Sequence, residues 1–564
     1  MFKKIFYMLF YLLIVFIFNR FIFEPIFTAN SLIFPYALHP FDIINLYPQT
    51  WSLIIKIYFL SLFISNIIIF NKIYNLFSYK IIPRFNEKKL LTEATEADKN
   101  LKLLVGTQDT SPIYIEEKGL FQNILITGTI GTGKTSSAMY PFTKQLLSYN
   151  SNNHKEKLAM LILDVKGNYY KEVINFAIEA HRLNDVITID LTSNFKYNPL
   201  DKPNIKPIVL ANRLKTILTL FSPNNSESYW LDEAEKILSE AIKFCRLYNN
   251  GYVSFAELHK LIMFPEYYSE KLKVTKQLFT SGKFSEQDTY DLLSCIDFFE
   301  KEYFSLDQRT LSILKSEISR ITNIFVSDYQ VSKTFCPKRE EINFNGFKEV
   351  LEKGKIVVLN MNISEYKNLS KIIASYLKLD FQTEVLSKLS SGKNLRKSAF
   401  ISDEYHEYVT STDADFFAQS REAKCINIVA TQSYSSIKNT LKDETTSKVI
   451  LQNLINKIWF RTDDIFTIEE AQKQLGKEDK EKVSKTISEN AKETKLNFIT
   501  NQLISKDSNL SESYNTYTQN DYIYDTKFFS QTLKTFHCLA FLSNGIEVLE
   551  PKELKMIPYF EKEN

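Results

Sequence analysis

The stretch with the narrowest choice of fold begins at Asn123 and reads NILITGTIGTGKTSSAMYPFTKQLL. An apolar strand over residues 123–127 runs into Gly128, Thr129, Ile130, Gly131, Thr132, Gly133, Lys134 and Thr135, and a helical pattern follows. The spacing is GxxxxGK[ST] without a mismatch. Glycine admits backbone conformations closed to other residues, so successive N–H groups can face one bound anion. The positive end of the following helix strengthens the same field. A lysine at this position neutralises β and γ phosphates, and the hydroxyl after it ligates Mg2+. The segment therefore predicts ATP with Mg2+, cradled by residues 128–135. Pro141 falls in the first turns of the helix and is expected to kink or end it locally.

Downstream, strands and helices alternate as in a parallel α/β sheet. KLAMLILDVKG is a near-continuous apolar strand of the kind covered on both faces. It ends at Asp164, with Lys166 and Gly167 beside it, at the edge where such sheets bind ligands. From about residue 205 the strand rhythm stops. Leu231, Ala234, Ile237, Leu238, Ala241, Ile242 and Cys245 make one face of a 3.6-residue period, and residues 205–335 read as a mostly helical insertion. Strands return with GKIVVLNMN and then KSAFISDEYHEYV, an apolar run closing on Asp403 and Glu404. That is the pattern of a Walker B strand: the first carboxylate holds Mg2+ and the second polarises an attacking water. The next strand, CINIVATQ, ends at Gln432, either a satisfied strand-end amide or a group that reaches the γ-phosphate. Arg421, expected on the helix between these strands, is either a salt-bridged surface residue or an arginine finger for a neighbouring subunit. Residues 473–527, rich in Lys, Glu, Ser, Asn and Thr, read as a long, partly disordered polar excursion, and FHCLAFLSNGIEVLEPKEL as a last strand–turn–strand.

Two apolar stretches precede all of this, over residues 5–23 and 51–70. At about 1.5 Å per residue each is long enough to cross a bilayer as a helix. Lys3 and Lys4 lie before the first, and Lys72, Lys80, Arg84, Lys88 and Lys89 after the second. The positive-inside bias puts both termini in the cytoplasm and residues 24–50 outside. Residues 1–85 thus read as a membrane anchor, followed by a nucleotide-binding domain in two parts (86–204 and 336–564) that flank the insertion. The five cysteines show no CxxC or Cys/His spacing and read as reduced, mostly buried thiols. Sixty-nine Lys and Arg against 66 Asp and Glu give a net charge of +3, so no global basic field announces nucleic acid.

The two spans, the glycine-rich loop, the insertion and the late Asp-Glu pair together resemble the type IV coupling proteins, the TraG/TraD family of bacterial conjugation and secretion systems. LILDVKGN is similar to that family's strand ending Asp-Pro-Lys-Gly-Glu, which implies a place near the nucleotide for Asp164 and Lys166. KYNPLD resembles its Asn-Pro-Leu segment and SYWLDEAEKIL the opening of its all-alpha domain. The region from ISDEYHEY to IVATQSYSSI is similar to its Walker B, arginine and glutamine region. The resemblance implies a RecA-like P-loop NTPase fold with an inserted all-alpha domain and two N-terminal transmembrane helices. It implies a homo-hexamer at the bacterial inner membrane that hydrolyses ATP and delivers relaxase-bound single-stranded DNA or effector proteins to a type IV secretion channel. The residues alone leave two other classes open, a nucleotide-switched docking receptor and a different membrane-anchored DNA translocase.

Overall fold

The computed structural model describes residues 100–221, 228–282, 284–389, 396–489, 495–497, 502–504 and 510–560, apart from Val165, and scattered residues before position 73. Residues 1–86 and 87–564 are two compact units. In the first, the Tyr11 hydroxyl donates to Asn66 at 3.1 Å, and the Tyr11 and Phe70 rings lie 5.6 Å apart. The span expected over 5–23 lies largely outside the described residues, whereas most of 51–70 is described and every described residue there is helical. Among the described residues no helix is long and apolar enough to cross a membrane.

The second unit is built on strands β1 (Lys102–Gln108), β2 (Ser111–Glu116), β3 (Ile124–Thr127), β4 (Ala159–Leu163), β5 (Val186–Ile189), β6 (Ile356–Leu359), β7 (Ser398–Ser402), β8 (Cys425–Thr431), β9 (Asn456–Phe460), β14 (His537–Phe541) and β15 (Lys552–Lys555). They form an eleven-stranded sheet in the order β2-β1-β15-β14-β9-β3-β8-β7-β4-β6-β5. From β9 to β5 every neighbouring pair is parallel, while β14, β15, β1 and β2 extend the sheet antiparallel. The central strands are apolar at successive positions because both faces are covered. Ile124, Ile126, Met160, Ile162, Val358 and Ile428 point into one core, under the helices α1 (Tyr140–Ser148) and α2 (Tyr169–Glu179). Leu125, Leu161, Leu163, Val357, Phe400 and Val429 point into the other.

That second core continues into a bundle containing α3 (Pro207–Phe221), α4 (Ser228–Tyr248), α5 (Phe255–Met263), α6 (Pro265–Thr280), α7 (Glu286–Ile296) and α8 (Gln308–Thr322). One helix, α9 (Asn368–Ser387), is buried along most of its length and carries two fully buried charges, Lys378 and Asp380. Asp380 accepts from Arg213 at 2.9 Å and the Tyr197 hydroxyl at 3.0 Å, with the Lys202 ammonium 3.1 Å away. A buried carboxylate is tolerable only with such partners. The pairing joins α9 to α3 and to the segment that leads into the bundle.

Two expectations are refined. The helix after the glycine-rich loop is irregular directly before Pro141, as a π-helical turn over Lys134–Met139 that runs into α1, with Pro141 in the first turn of α1. The excursion over 473–527 is not structureless in its described part. Strands β10 (Lys477–Glu489) and β13 (Leu510–Tyr522) pair antiparallel along their whole length, and β11 (Lys495–Asn497) pairs with β12 (Gln502–Ile504). Directly opposed residues explain the order: Lys477 lies 4.7 Å from the Tyr522 ring and Lys485 5.6 Å from the Tyr514 ring.

Lys457 on β9 is buried, and its ammonium donates to the Leu454 carbonyl at 2.9 Å. Burial lowers its pKa from 10.5 to about 8. The unfolded chain therefore binds this proton more readily, a penalty fully present below pH 8 that fades as pH rises toward 10.5. Lys457→Met is expected to raise stability at pH 7 by on the order of 2 kcal/mol. Denaturant melts from pH 7 to 10.5 should show that advantage shrinking with pH.

Candidate nucleotide site

Because β8 lies between β3 and β7, and all three run parallel, their C-terminal ends open on one edge of the sheet. The loop after β3, the turn after β7 and the residue after β8 therefore meet. The Thr135 hydroxyl donates to Asp403 Oδ2 at 2.9 Å. Lys134 is buried, and its ammonium donates to the carbonyls of Gly128 and Thr129, the latter at 3.1 Å. Lys166 reaches in from the loop after β4 and donates to Glu404 Oε1 at 2.7 Å. The Gln432 amide donates to Glu404 Oε2 at 3.4 Å. A cleft of about 310 Å³ is lined by residues 130–136 together with Tyr140, Lys166, Glu404, Tyr559 and Phe560.

The loop owes its shape to its glycines and to what lies on them. Gly133 has φ +101°, and a Cβ there would come within 2.4 Å of the Phe536 ring. Gly128 has φ +155°, and a Cβ would fall 2.6 Å from Phe460 Cβ. Two of the sequence-derived contacts change character. The Thr129 N–H donates to the Arg461 carbonyl at 2.9 Å, which ties the loop to the end of β9 instead of facing the cleft. The Asp164 carboxylate accepts from the backbone N–H groups of Lys166, Asn168 and Tyr169 at 2.9, 3.1 and 3.2 Å. It shapes the turn into α2, and it is Lys166 that enters the cleft.

Arg421 is not among the converging groups. It lies in the turn beyond α10 (Asp413–Gln419), not on the helix, and precedes β8, so it sits at the opposite edge of the sheet from Gln432. Its guanidinium donates to the Gly545 carbonyl at 3.0 Å. Within one chain it is far from the glycine-rich loop, which leaves only contact with a neighbouring copy as a route to a nucleotide.

Charge in the cleft is balanced by pairing. Burial raises the Asp403 carboxyl to about 6, with Lys166 opposing and Asp164 and Glu404 adding to the rise. Burial acts the same way on Glu404, but the hydrogen bond and charge of Lys166, with His406 and Lys134, outweigh it and hold this carboxyl below its ordinary value. Burial lowers the Lys134 pKa against the pull of Glu404 and Asp403. The chemistry of the donors, a hydroxyl and a carboxylate meeting beneath a lysine and a glycine-rich loop, fits Mg2+, which takes few protein oxygens and completes its shell with phosphate and water. Among the described residues no group of three or more His, Cys, Asp or Glu offers a metal cage.

Sequence reasoning missed how Glu404 is held. Its backbone is left-handed, φ +49° and ψ +46°, a conformation that costs a non-glycine residue about 1 kcal/mol. The next residue pins it: the buried Tyr405 hydroxyl donates to Asp413 Oδ2 at 2.6 Å. Asp413 also accepts from Lys378 at 2.6 Å, Gln382 at 2.8 Å and the Thr410 N–H at 3.0 Å. His406 stands 3.2 Å from the Thr431 hydroxyl and 3.8 Å from Glu404. Only the closeness of His406 to Glu404 in sequence hinted at any of this.

Residues 398–523, from β7 through β13, match the family described as the TraM recognition site of TraD and TraG. The resemblance to the TraG/TraD coupling proteins holds. No curated protein matches the chain in sequence. Among solved structures, unbound TrwBdeltaN70, a bacterial conjugative coupling protein, is similar with TM-score 0.53 at 13% identity, over 83% of this chain and 91% of that one. The plasmid coupling protein TrwB in complex with ADP and Mg2+ gives TM-score 0.53 at 12% identity, over 84% and 92%. TrwB with a non-hydrolysable ATP analogue gives the same values. At such identities the likeness is one of fold: the mixed α/β sheet with its large helical region is the architecture of TrwB.

The buried Lys378–Asp413 pair is expected to matter for stability. Lys378→Met leaves Asp413 without its cation, and chemical denaturation should show a loss of about 3 kcal/mol. Adding Asp413→Asn to the same chain should recover part of it.

Proposed function

We propose that this chain is the ATP-hydrolysing coupling protein of a type IV secretion or conjugation channel. The observation that carries the reading is the meeting of Lys134, Thr135, Asp403, Glu404 and Gln432 at one sheet edge, a constellation suited to phosphoryl transfer. The TraG/TraD match of residues 398–523 and the fold shared with TrwB, which has been seen with ADP and Mg2+, supply the context.

In this reading Lys134 leaves the carbonyls of Gly128 and Thr129 for the β and γ phosphates of ATP, which offer full negative charge instead of partial dipoles. Thr135 and Asp403 would hold Mg2+, which would supply neutralisation of the phosphate charge. Glu404 orients a water and accepts its proton as the oxygen attacks the γ-phosphorus. The bond to the β–γ bridging oxygen breaks, and ADP and inorganic phosphate form. Gln432, already beside Glu404, senses the γ-phosphate, and Lys166 passes from Glu404 toward it. Copies of the chain assemble as a hexamer at the bacterial inner membrane, anchored by residues 5–23 and 51–70 with both termini in the cytoplasm. Each cycle there advances relaxase-bound single-stranded DNA or an effector protein into the channel.

Hydrolysis by the full-length protein in lipid nanodiscs, titrated with single-stranded DNA, tests the proposal. Lys134→Ala should lose nucleotide binding. Glu404→Gln should keep binding but lose at least a hundredfold in kcat. DNA stimulation of the wild type favours a DNA cargo, whereas hydrolysis indifferent to DNA favours protein effectors. Wild-type hydrolysis no faster than that of Glu404→Gln would sink the motor reading.

A further inference from the structure

The cleft has two chemically distinct ends. Near Lys166 and Glu404 it is charged. On the side of Ser136, the lining residues that do not belong to the glycine-rich loop are Tyr140, Tyr559 and Phe560, all aromatic. More than four hundred residues separate the last two from the loop, yet the backbone ties them to it. The Tyr559 N–H donates to the Ser136 carbonyl at 3.0 Å, and the Phe536 N–H to the Thr132 carbonyl at 3.1 Å. Phe536 in turn accepts the Met556 N–H at 2.8 Å and lies against Gly133.

The rings support one another edge-on. Tyr140 meets Tyr559 at 4.9 Å and 83°, Tyr559 meets Phe560 at 5.5 Å and 85°, and Phe536 meets Phe560 at 6.1 Å and 69°. Edge-on contact on two sides holds the Phe560 ring, which keeps 54% of its surface exposed. A loop of this kind grips β and γ phosphates through its lysine and the α-phosphate nearer the start of the helix. A triphosphate seated with its γ end at Glu404 therefore brings its base out on the Ser136 side.

We infer that Phe560, braced by Phe536 and Tyr559, is the nucleobase platform of this cleft, on which a purine stacks. The inference rests on the nucleotide reading above and adds the part of the ligand that the phosphate loop does not touch. Stacking reads the π-face of a base and not its edge. Among the described residues of the lining, the only carboxylate is Glu404, at the other end, and none is Asn or Gln. The platform therefore accepts adenine and guanine alike, with a preference below about fivefold.

Calorimetry on the full chain with Mg2+ tests this, using ATP, GTP and inorganic tripolyphosphate, which has the phosphates but no base. Phe560→Ala is expected to bind ATP and GTP about tenfold more weakly, near the lower end for one base–aromatic stack, and tripolyphosphate as the wild type does. Phe560→Trp should recover ATP affinity, and its added indole fluorescence should be quenched by ATP but not by tripolyphosphate. Wild-type ATP affinity in Phe560→Ala would overturn the platform and leave the nucleotide reading intact. An equal loss of ATP and tripolyphosphate would overturn it too, since the residue would then act on the phosphate loop. If the wild-type chain binds neither ATP nor tripolyphosphate, the nucleotide reading itself falls.

Discussion

Parallel pairing of β8 with β3 on one side and β7 on the other is the constraint on which the rest of this molecule depends. Parallel strands present their C-terminal ends along one edge, so a lysine loop, a carboxylate pair and an amide contributed by three distant segments reach one cleft. The pairing also demands apolar side chains on both faces, and each face recruits its own helices. Chemistry at the edge and cores above and below the sheet are thus consequences of the same ladder of backbone hydrogen bonds.

The polar residues buried away from the edge tie this geometry to the helices. Lys378 and Asp380 lie two positions apart on α9, and they serve different purposes. Asp380 draws Arg213, Lys202 and Tyr197 together and anchors the base of the helical insertion. Lys378 neutralises Asp413, which holds Tyr405 and through it the strained turn at Glu404. A shift of α9 would be felt both in the insertion and beside Glu404. α9 is therefore a physical link between the helical insertion and the turn at Glu404.

Among the described residues each charged group of the cleft has a partner within the protein: Lys134 on carbonyls of its own loop, Asp403 on Thr135, and Glu404 on Lys166 and Gln432. A buried charge without a partner is costly, and these contacts within the protein meet that need. Under the proposed nucleotide reading, ATP would exchange these contacts for its own and move Glu404, Lys166 and Gln432 together and not singly.

By itself the sequence determined β3, β4, β6, β7 and β8, the glycine-rich loop, the Asp403–Glu404 pair at its strand end and the position of Gln432 after its strand. These are local patterns: a run of apolar residues, a fixed spacing, a residue at a strand end. It could not decide what lies between segments. The Phe536 ring against Gly133, the Tyr405–Asp413–Lys378 chain and the diversion of Asp164 to cap its own turn all join residues whose partners are set by packing. The ribbon of β10 and β13 was illegible for a related reason: composition reports what a segment can bury, whereas this ribbon is held by cross-strand pairs visible only once register is known. Arg421 shows the limit most plainly, because sequence order places it between the Asp403–Glu404 turn and Gln432, and the strand it precedes carries it to the far side of the sheet.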